Sequence, residues 1–447
     1  MRRFCTALIF LTMLLAACAV KTPDKPVADL VNLTQDAGVY HGLDPNTPIL
    51  APETQEAAFK HFMTQHFGPW NRTEPKHTAE EVFWGLALYP KKELFGENTL
   101  LRDPAWLKRM QEYSRVEQYP SMNRKAIAVT NTSMRVLPTS QPAFYDFARA
   151  GEGFPFDYMQ NSLILAGTPL YASHISADRA WIMVESRFAY GWVPVGDIGW
   201  VDDGFISIFK TGVYAAITRD DVPITDADGN YRFTGHVGTI LPVMEGGAGI
   251  NGFAFIIPTR NTRGTAVPQV AFLPEAFASL APISTTPANF AKLTNAMLGR
   301  QYGWGGLYED RDCSAATMDL MAAFGIYLPR NSSQQIKVGT NVSLKDMSSE
   351  AKKQLLTKVG TPFLTLVRKP GHIMLYIGSK DGQPLVFHSV WGLKTKVGGS
   401  YGRKVIGRAV ITSLEPGIEM DDLARPAGVI LETVYAISTL PGYEQGE

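Results

Sequence analysis

Cysteine is scarce in this chain. Cys5, Cys18 and Cys313 are the only three in 447 residues, which excludes a disulfide-built scaffold. An excess of charge is also missing, because Lys plus Arg and Asp plus Glu both count 42. With no net field to attract a polyanion, nucleic acid is excluded as a partner. Beyond the N-terminal segment no run reaches roughly 18 consecutive apolar residues, so no membrane span is expected in the body of the chain. His61, His66 and His77 have neither compact ligand spacing nor a cysteine pair beside them, and no metal or other cofactor is expected. What the chain does have is apolar material, 45% of residues against 19% charged, enough for several packed cores. Its 40 glycines and 29 prolines favour turns and short strands over long helices. At this length about three domains are expected.

Arg2 and Arg3 precede an apolar stretch from Phe4 to Leu15, the pattern of a secretory signal. It ends in Leu15-Ala16-Ala17-Cys18, which resembles the bacterial lipoprotein signal. The resemblance implies a signal peptide over 1–17 and a mature chain that starts at Cys18. Acyl chains on that residue would anchor the protein to a membrane without spanning it. Ala19 and Val20 offer no inner-membrane retention signal, so the expected location is the periplasm, on the outer membrane of a Gram-negative bacterium. Cys5 then leaves with the signal and Cys18 carries lipid. Cys313 remains as a lone thiol in an oxidising compartment, either a core residue or a reactive one.

Residues 18–55 are rich in Pro, Asp, Asn and Thr without periodicity, and read as a tether and surface arm that spaces the body from the membrane. Residues 56–120 read as a helical domain. Thr78 and Glu81 fit a capping box ahead of Val82, Leu86 and Tyr89, and Asp103-Pro104 opens a second helix carrying Trp106 and Met110. Short β-branched and aromatic runs, separated by Gly, Pro and Asp, then fill 122–200 and 205–280. The two stretches echo each other, as in Gly167-Thr168-Pro169-Leu170 against Gly238-Thr239-Ile240-Leu241. Each resembles a bacterial SH3-like domain, which implies two small β-barrels. Residues 285–447 read as one C-terminal domain, a helix from Pro287 followed by strands.

Cys313 follows the loop Tyr302-Gly303-Trp304-Gly305-Gly306 and opens a helix whose Thr317, Leu320, Met321 and Phe324 form an apolar stripe. A helix start lowers a thiol pKa through its free N–H groups, and the same groups can hold an oxyanion. His372 opens an alternating strand, and His388 follows 16 residues later beyond the turn Gly378-Ser379-Lys380-Asp381-Gly382. A hairpin brings the two imidazoles together, so that His372 can take the thiol proton while His388 fixes its tautomer. His174 and His236 read as packing residues of the β modules, and Trp70, Trp84 and Trp106 as helical core.

Asp312-Cys313-Ser314, Gly371-His372-Ile373 and His388 together resemble the three motifs of the NlpC/P60 family of cysteine peptidases. The resemblance covers about 285 to 410 and implies a papain-like α+β catalytic domain with a Cys313–His372–His388 triad. With it the fold class is multidomain: a helical N-terminal region, two SH3-like barrels and a C-terminal NlpC/P60 domain. The implied activity is cleavage of peptidoglycan stem peptides or muropeptides between D-glutamate and the diamino acid, through a thioester. The resemblance further implies that Tyr302, Asp312 and Ser314 contact the N-terminal side of the peptide, with Asp157 and Tyr158 of the first β module as a lip of the pocket. Ala315 departs from the family pattern, which commonly has glycine there, and narrows the approach to the nucleophile. Two other readings stand beside this one: a wall-binding lipoprotein with an inactive peptidase scaffold, and an acyltransferase that resolves the same thioester with an amine.

Overall fold

The computed structural model describes residues 26–249 and 251–441. The signal peptide expected over 1–17 and the expected lipidation site Cys18 lie outside these residues. From Val27 onward the expected spacer arm is instead strapped along the C-terminal domain. Asp29 accepts hydrogen bonds from the Ser413 backbone N–H at 2.7 Å and from its hydroxyl at 2.8 Å. The Gln35 amide donates to the Ile411 carbonyl and accepts from the Ile411 N–H. The Tyr40 carbonyl accepts from the Ser379 N–H at 3.1 Å. Gly378, at φ +124, permits that approach, because a Cβ there would collide with the Tyr40 carbonyl.

Helix α1 (Pro52–Phe67) starts on proline, whose missing N–H costs nothing in the first turn. It ties distant parts of the chain together. Gln55 donates to the carbonyls of Ile283 and Phe324, and just beyond the helix the Trp70 indole donates to the Ala126 carbonyl at 2.7 Å. Thr78 and Glu81 form the expected capping box. Asp103 caps α2 (Pro104–Ser114) through the Ala105 N–H, and Trp106 and Met110 are buried beneath it.

The first β module contains β1 (Arg124–Ala128), β2 (Thr132–Arg135), β3 (Gln160–Ile164), β4 (Pro169–Ile175), β5 (Trp181–Glu185), β6 (Tyr190–Pro194) and β7 (Ile198–Trp200). Helix α3 (Asp203–Phe209) leads into the second. That module contains β8 (Tyr214–Ile217), β9 (Val222–Thr225), β10 (Tyr231–Gly235), β11 (Ile240–Gly249), β12 (Gly252–Arg260), β13 (Ala266–Pro274) and β14 (Ala278–Ala281). The expected barrels are not closed. The first module is an open sheet in the order β3-β2-β6-β5-β4-β1-β7, and the second is an open sheet, β13-β12-β11-β8-β14, beside a separate β9–β10 ribbon.

The physical reason is that the free edges are used by neighbours. At the β7 edge the Trp200 N–H donates to the Gly264 carbonyl of the second module, and Gly199 leaves room for the Ala266 backbone. At the β3 edge the Gln160 amide donates to the Gly305 carbonyl at 3.1 Å. Gly305 and Gly306, with φ of +61 and +86, lie so close to Gln160 and Leu163 that a Cβ on either would clash. An edge strand is a ready docking surface, and here docking replaces closure.

The C-terminal domain opens with α4 (Pro287–Met297) and α5 (Cys313–Ala323). Its sheet has the order β15-β20-β16-β17-β18-β19, all antiparallel, built from β15 (Thr340–Ser343), β16 (Thr365–Lys369), β17 (His372–Lys380), β18 (Gln383–Val397), β19 (Ser400–Ser413) and β20 (Ala436–Thr439). The tail therefore supplies an interior strand, β20, between β15 and β16. Phe290 stacks on Phe324 at 3.8 Å between ring centroids and on Phe363 at 5.4 Å, joining α4 to the end of α5 and to the sheet. The apolar stripe read on α5 understates its burial: every residue of the helix is buried, because the β modules cover the side away from the sheet.

Candidate active site

Cys313 is the first residue of α5, and its sulfur receives the Ile373 backbone N–H from the start of β17. Asp312 precedes it as the N-cap and accepts from the Ala315 N–H at 2.8 Å. The same carboxylate accepts from the Gly305 N–H and the Ser314 hydroxyl. It also forms a two-pronged pair with Arg330, at 2.6 and 3.1 Å. Arg330 donates further to the hydroxyls of Ser314 and, on β3 of the first module, Ser162. Burial alone would push the Asp312 carboxyl up, but the Arg330 guanidinium holds it below its usual value.

The thiol does not follow the helix-start expectation. Burial, and then the Asp312 carboxylate, push Cys313 up to about 11, against the opposing pull of Ile373 N–H, Arg330 and Arg368. The resting nucleophile is a neutral thiol. Iodoacetamide trapping at neutral pH should therefore be slow, rising about tenfold per pH unit toward the thiol's own value. A rate already on its plateau near pH 7 would instead mean a standing thiolate.

The two histidines meet as expected. His372 Nε2 lies 2.8 Å from His388 Nδ1 across β17 and β18, and His388 Nε2 lies 3.0 Å from the Thr412 hydroxyl oxygen on β19. The Thr412 hydroxyl donates to the Ser413 carbonyl at 2.7 Å, so it accepts from His388 Nε2–H. Burial, and then Lys369, pull His388 down to about 3, so it is neutral and its Nδ1 carries no proton. His372 must then donate from Nε2, which leaves its Nδ1 bare as a proton acceptor. Burial, His388, Lys369 and Arg368 likewise hold His372 well below its ordinary value. Thr412 thus fixes the tautomer of both rings, a role no sequence pattern signalled. Thr412→Val should lower kcat by about tenfold with KM little changed, and Thr412→Ser should restore it.

A cleft of about 300 Å³ opens beside His372, lined in part by Tyr302, Trp304 and Trp391. The first β module contributes Phe156, whose ring meets Trp304 at 5.2 Å, Trp391 at 6.1 Å and Tyr302 at 6.4 Å. Burial, with Asp312 and Cys313 nearby, raises the Tyr302 hydroxyl well above its usual value. Asp157, expected at the pocket lip, is not there: it pairs with Arg135 at 2.7 Å and accepts from the N–H groups of Ala143 and Met159 inside its own module. Tyr158 stands nearer, its ring 6.1 Å from Trp304 and its hydroxyl bound to Glu152. Asp312 and Ser314 are spent on Arg330. Ala315 faces an enclosed space of about 20 Å³ between the domains, with Leu163 and Met318, and does not line the cleft. Phe156 and Arg330 were missed because neither belongs to a motif; only the aromatic richness around Phe154 and Phe156 hinted at the first.

Through Ile373, the neighbour of His372, the buried thiol at the helix start is tied to the strand that carries the linked histidines, an arrangement suited to a cysteine peptidase. Residues 299–397 match the NlpC/P60 family, 142–194 an SH3 domain of SH3b1 type, 202–245 an SH3 domain of SH3b2 type, and 7–119 the N-terminal NLPC_P60 stabilising domain. A novel NlpC/P60 endopeptidase from Photobacterium damselae subsp. piscicida is similar over 91% of this chain and 97% of its own, with 27% identity and a TM-score of 0.83. An NlpC/P60 family protein from Bacillus cereus ATCC 10987 aligns over 71% of this chain and 100% of its own, at 15% identity and a TM-score of 0.47. No curated protein sequence matches the chain significantly. The protein is a cysteine peptidase of NlpC/P60 type, a peptidoglycan hydrolase with tandem SH3-like domains.

Proposed function

We propose that the protein cleaves the bond between γ-linked D-glutamate and the diamino acid of peptidoglycan stem peptides, with Cys313, His372 and His388 as its triad. The observation that carries this reading is the hydrogen-bond chain from Thr412 through His388, which leaves His372 Nδ1 free to accept a proton. As the sulfur attacks the scissile carbonyl, its proton passes to His372. The imidazolium formed is stabilised by His388, and the oxyanion meets backbone N–H groups at the start of α5. His372 then returns the proton to the departing amine, and water resolves the thioester with His372 again as base. The similarity to an NlpC/P60 endopeptidase over nearly the whole chain supports the same reading.

No carboxylate of the first module lines the cleft among the described residues, and Asp312 is neutralised by Arg330. Nothing there demands a free N-terminal ammonium, so stems still joined to glycan are accepted as substrates in this proposal. Attachment through Cys18 to the outer membrane, facing the periplasm, places the enzyme next to that material.

The test is incubation of the protein with L-Ala-γ-D-Glu-diamino acid peptides and with intact peptidoglycan, followed by mass spectrometry. Release of L-Ala-D-Glu from the peptides and of the diamino acid fragment from the wall is expected. No cleavage of either would overturn the reading, and transfer to an added amine in place of hydrolysis would favour the acyltransferase.

A further inference from the structure

The cleft beside His372 has walls of one charge. Lys369, Lys394 and Arg403 line it, and among the described residues no acidic side chain does. The Arg403 guanidinium lies over the Phe156 ring, 5.2 Å from its centroid, and neither Arg403 nor Lys369 forms an ion pair with a described residue. Lys394 rests on the Tyr401 ring at 4.0 Å. Burial draws both Lys369 and Arg403 below their ordinary values, Arg403 despite the opposing pull of Tyr302, Glu152 and Tyr158, and Lys369 with Arg368 adding to the fall. The half-buried Arg403 guanidinium is laid against Gly151, where any Cβ would clash with it.

The two cations come from different elements, Arg403 from β19 and Lys369 from the end of β16. Arg403 shares Phe156 with Tyr302, on the side of the loop that leads to the nucleophile. Lys369 pairs in register with His372 across the β16–β17 turn, on the side of the group that protonates the departing amine. A γ-linked D-glutamyl residue leaves its α-carboxylate free next to the scissile amide. A diamino acid such as diaminopimelate, unlike lysine, carries an additional carboxylate. Resting on the endopeptidase reading above, we propose that Arg403 binds the free α-carboxylate of the glutamyl residue and Lys369 the side-chain carboxylate of the departing diamino acid. The cleft then selects stem peptides that are acidic on both sides of the bond.

The experiment compares kcat/KM of the full chain for four peptides: L-Ala-γ-D-Glu-diaminopimelate, its α-carboxamide at the glutamyl residue, its side-chain carboxamide at diaminopimelate, and the lysine analogue. The parent peptide should be cleaved at least about tenfold faster than each of the others. Arg403→Gln should collapse the preference against the glutamyl amide alone, and Arg403→Lys should recover part of it. Lys369→Gln should collapse the preference against the diaminopimelate amide and lysine alone. Equal rates for all four with the unaltered chain would overturn this inference while leaving the endopeptidase reading intact. Cleavage of none would remove that reading and the inference with it. A ratio unchanged in Arg403→Gln would exclude Arg403 even if the variant's overall activity fell, because the ratio is insensitive to partial loss of folded enzyme.

Discussion

Alanine at Cys313 or glutamine at His372 should each lower kcat/KM for stem-peptide cleavage by at least about 10⁴-fold, and the double variant should fall no further. The non-additivity follows from the proposed mechanism. With the thiol at about 11, the neutral sulfur attacks only if its proton moves at the same time, so base without nucleophile and nucleophile without base fail alike. His388→Ala should cost less, about 10- to 100-fold, because it orients His372 without touching the reacting atoms. Additive losses from Cys313 and His372, or equal losses at all three positions, would contradict this division of roles. The histidines also set the acid limit. Both are held below their ordinary value near 6.5, so the base stays neutral and activity should not fall as pH drops from about 7.5 to about 6. Their contribution to stability has the same sign: it is fully present above 6.5 and is lost as pH falls toward the lower folded values.

The second large effect is on stability. Arg330→Met removes the partner of a carboxylate that is only 8% exposed, together with its bonds to Ser314 and Ser162. Leaving Asp312 buried and unpaired should cost about 3–5 kcal/mol at neutral pH, read as a lower urea midpoint for the tryptophan fluorescence transition. In the unaltered chain Asp312 is held below its usual pKa, so its contribution is present above that value and lost only in strong acid. In the variant the same carboxyl is pushed up by burial and folds more readily protonated, so the gap to the unaltered chain should narrow as pH falls to about 4. Adding Asp312→Asn should recover part of the loss. A gap that widens in acid, or no recovery, would mean that Arg330 acts through packing and not through charge.

Much of the site is legible in the sequence because its parts are local. Asp312 ahead of Cys313 is a cap signature, and two histidines across a turn of Gly378 to Gly382 can only approach each other if the strands pair. Thr412, Arg330 and Phe156 are invisible by the same logic. Each acts through a partner at least 16 residues away, and nothing in its own neighbourhood announces the contact. The barrels failed for a related reason. Alternation and turn residues report that strands exist and which faces are apolar, but an edge left open for Gly305 and Gly306 has the same local pattern as an edge sealed by its own sheet. The helix start likewise argues for a lowered thiol pKa, whereas the burial that raises it leaves no mark in the local pattern. His236, read as a packing residue, holds Glu309 at 2.8 Å in the loop before the nucleophile, again a partner from another domain.

The strap from Asp29 to Tyr40 finds its partners at Ser379, Ile411 and Ser413. The first described stretch to leave the ribosome thus meets its earliest distant partner at Asn295 of α4, which binds Asp36 and Ala37, and completes its contacts only once β19 has been made. A ring closed in this order cannot mature from front to back, and the finished molecule behaves as one unit whose two ends arrive together. A cut in a surface loop between the β modules should leave both fragments associated, whereas the catalytic domain produced alone would begin life with an uncovered seam along β17 and β19.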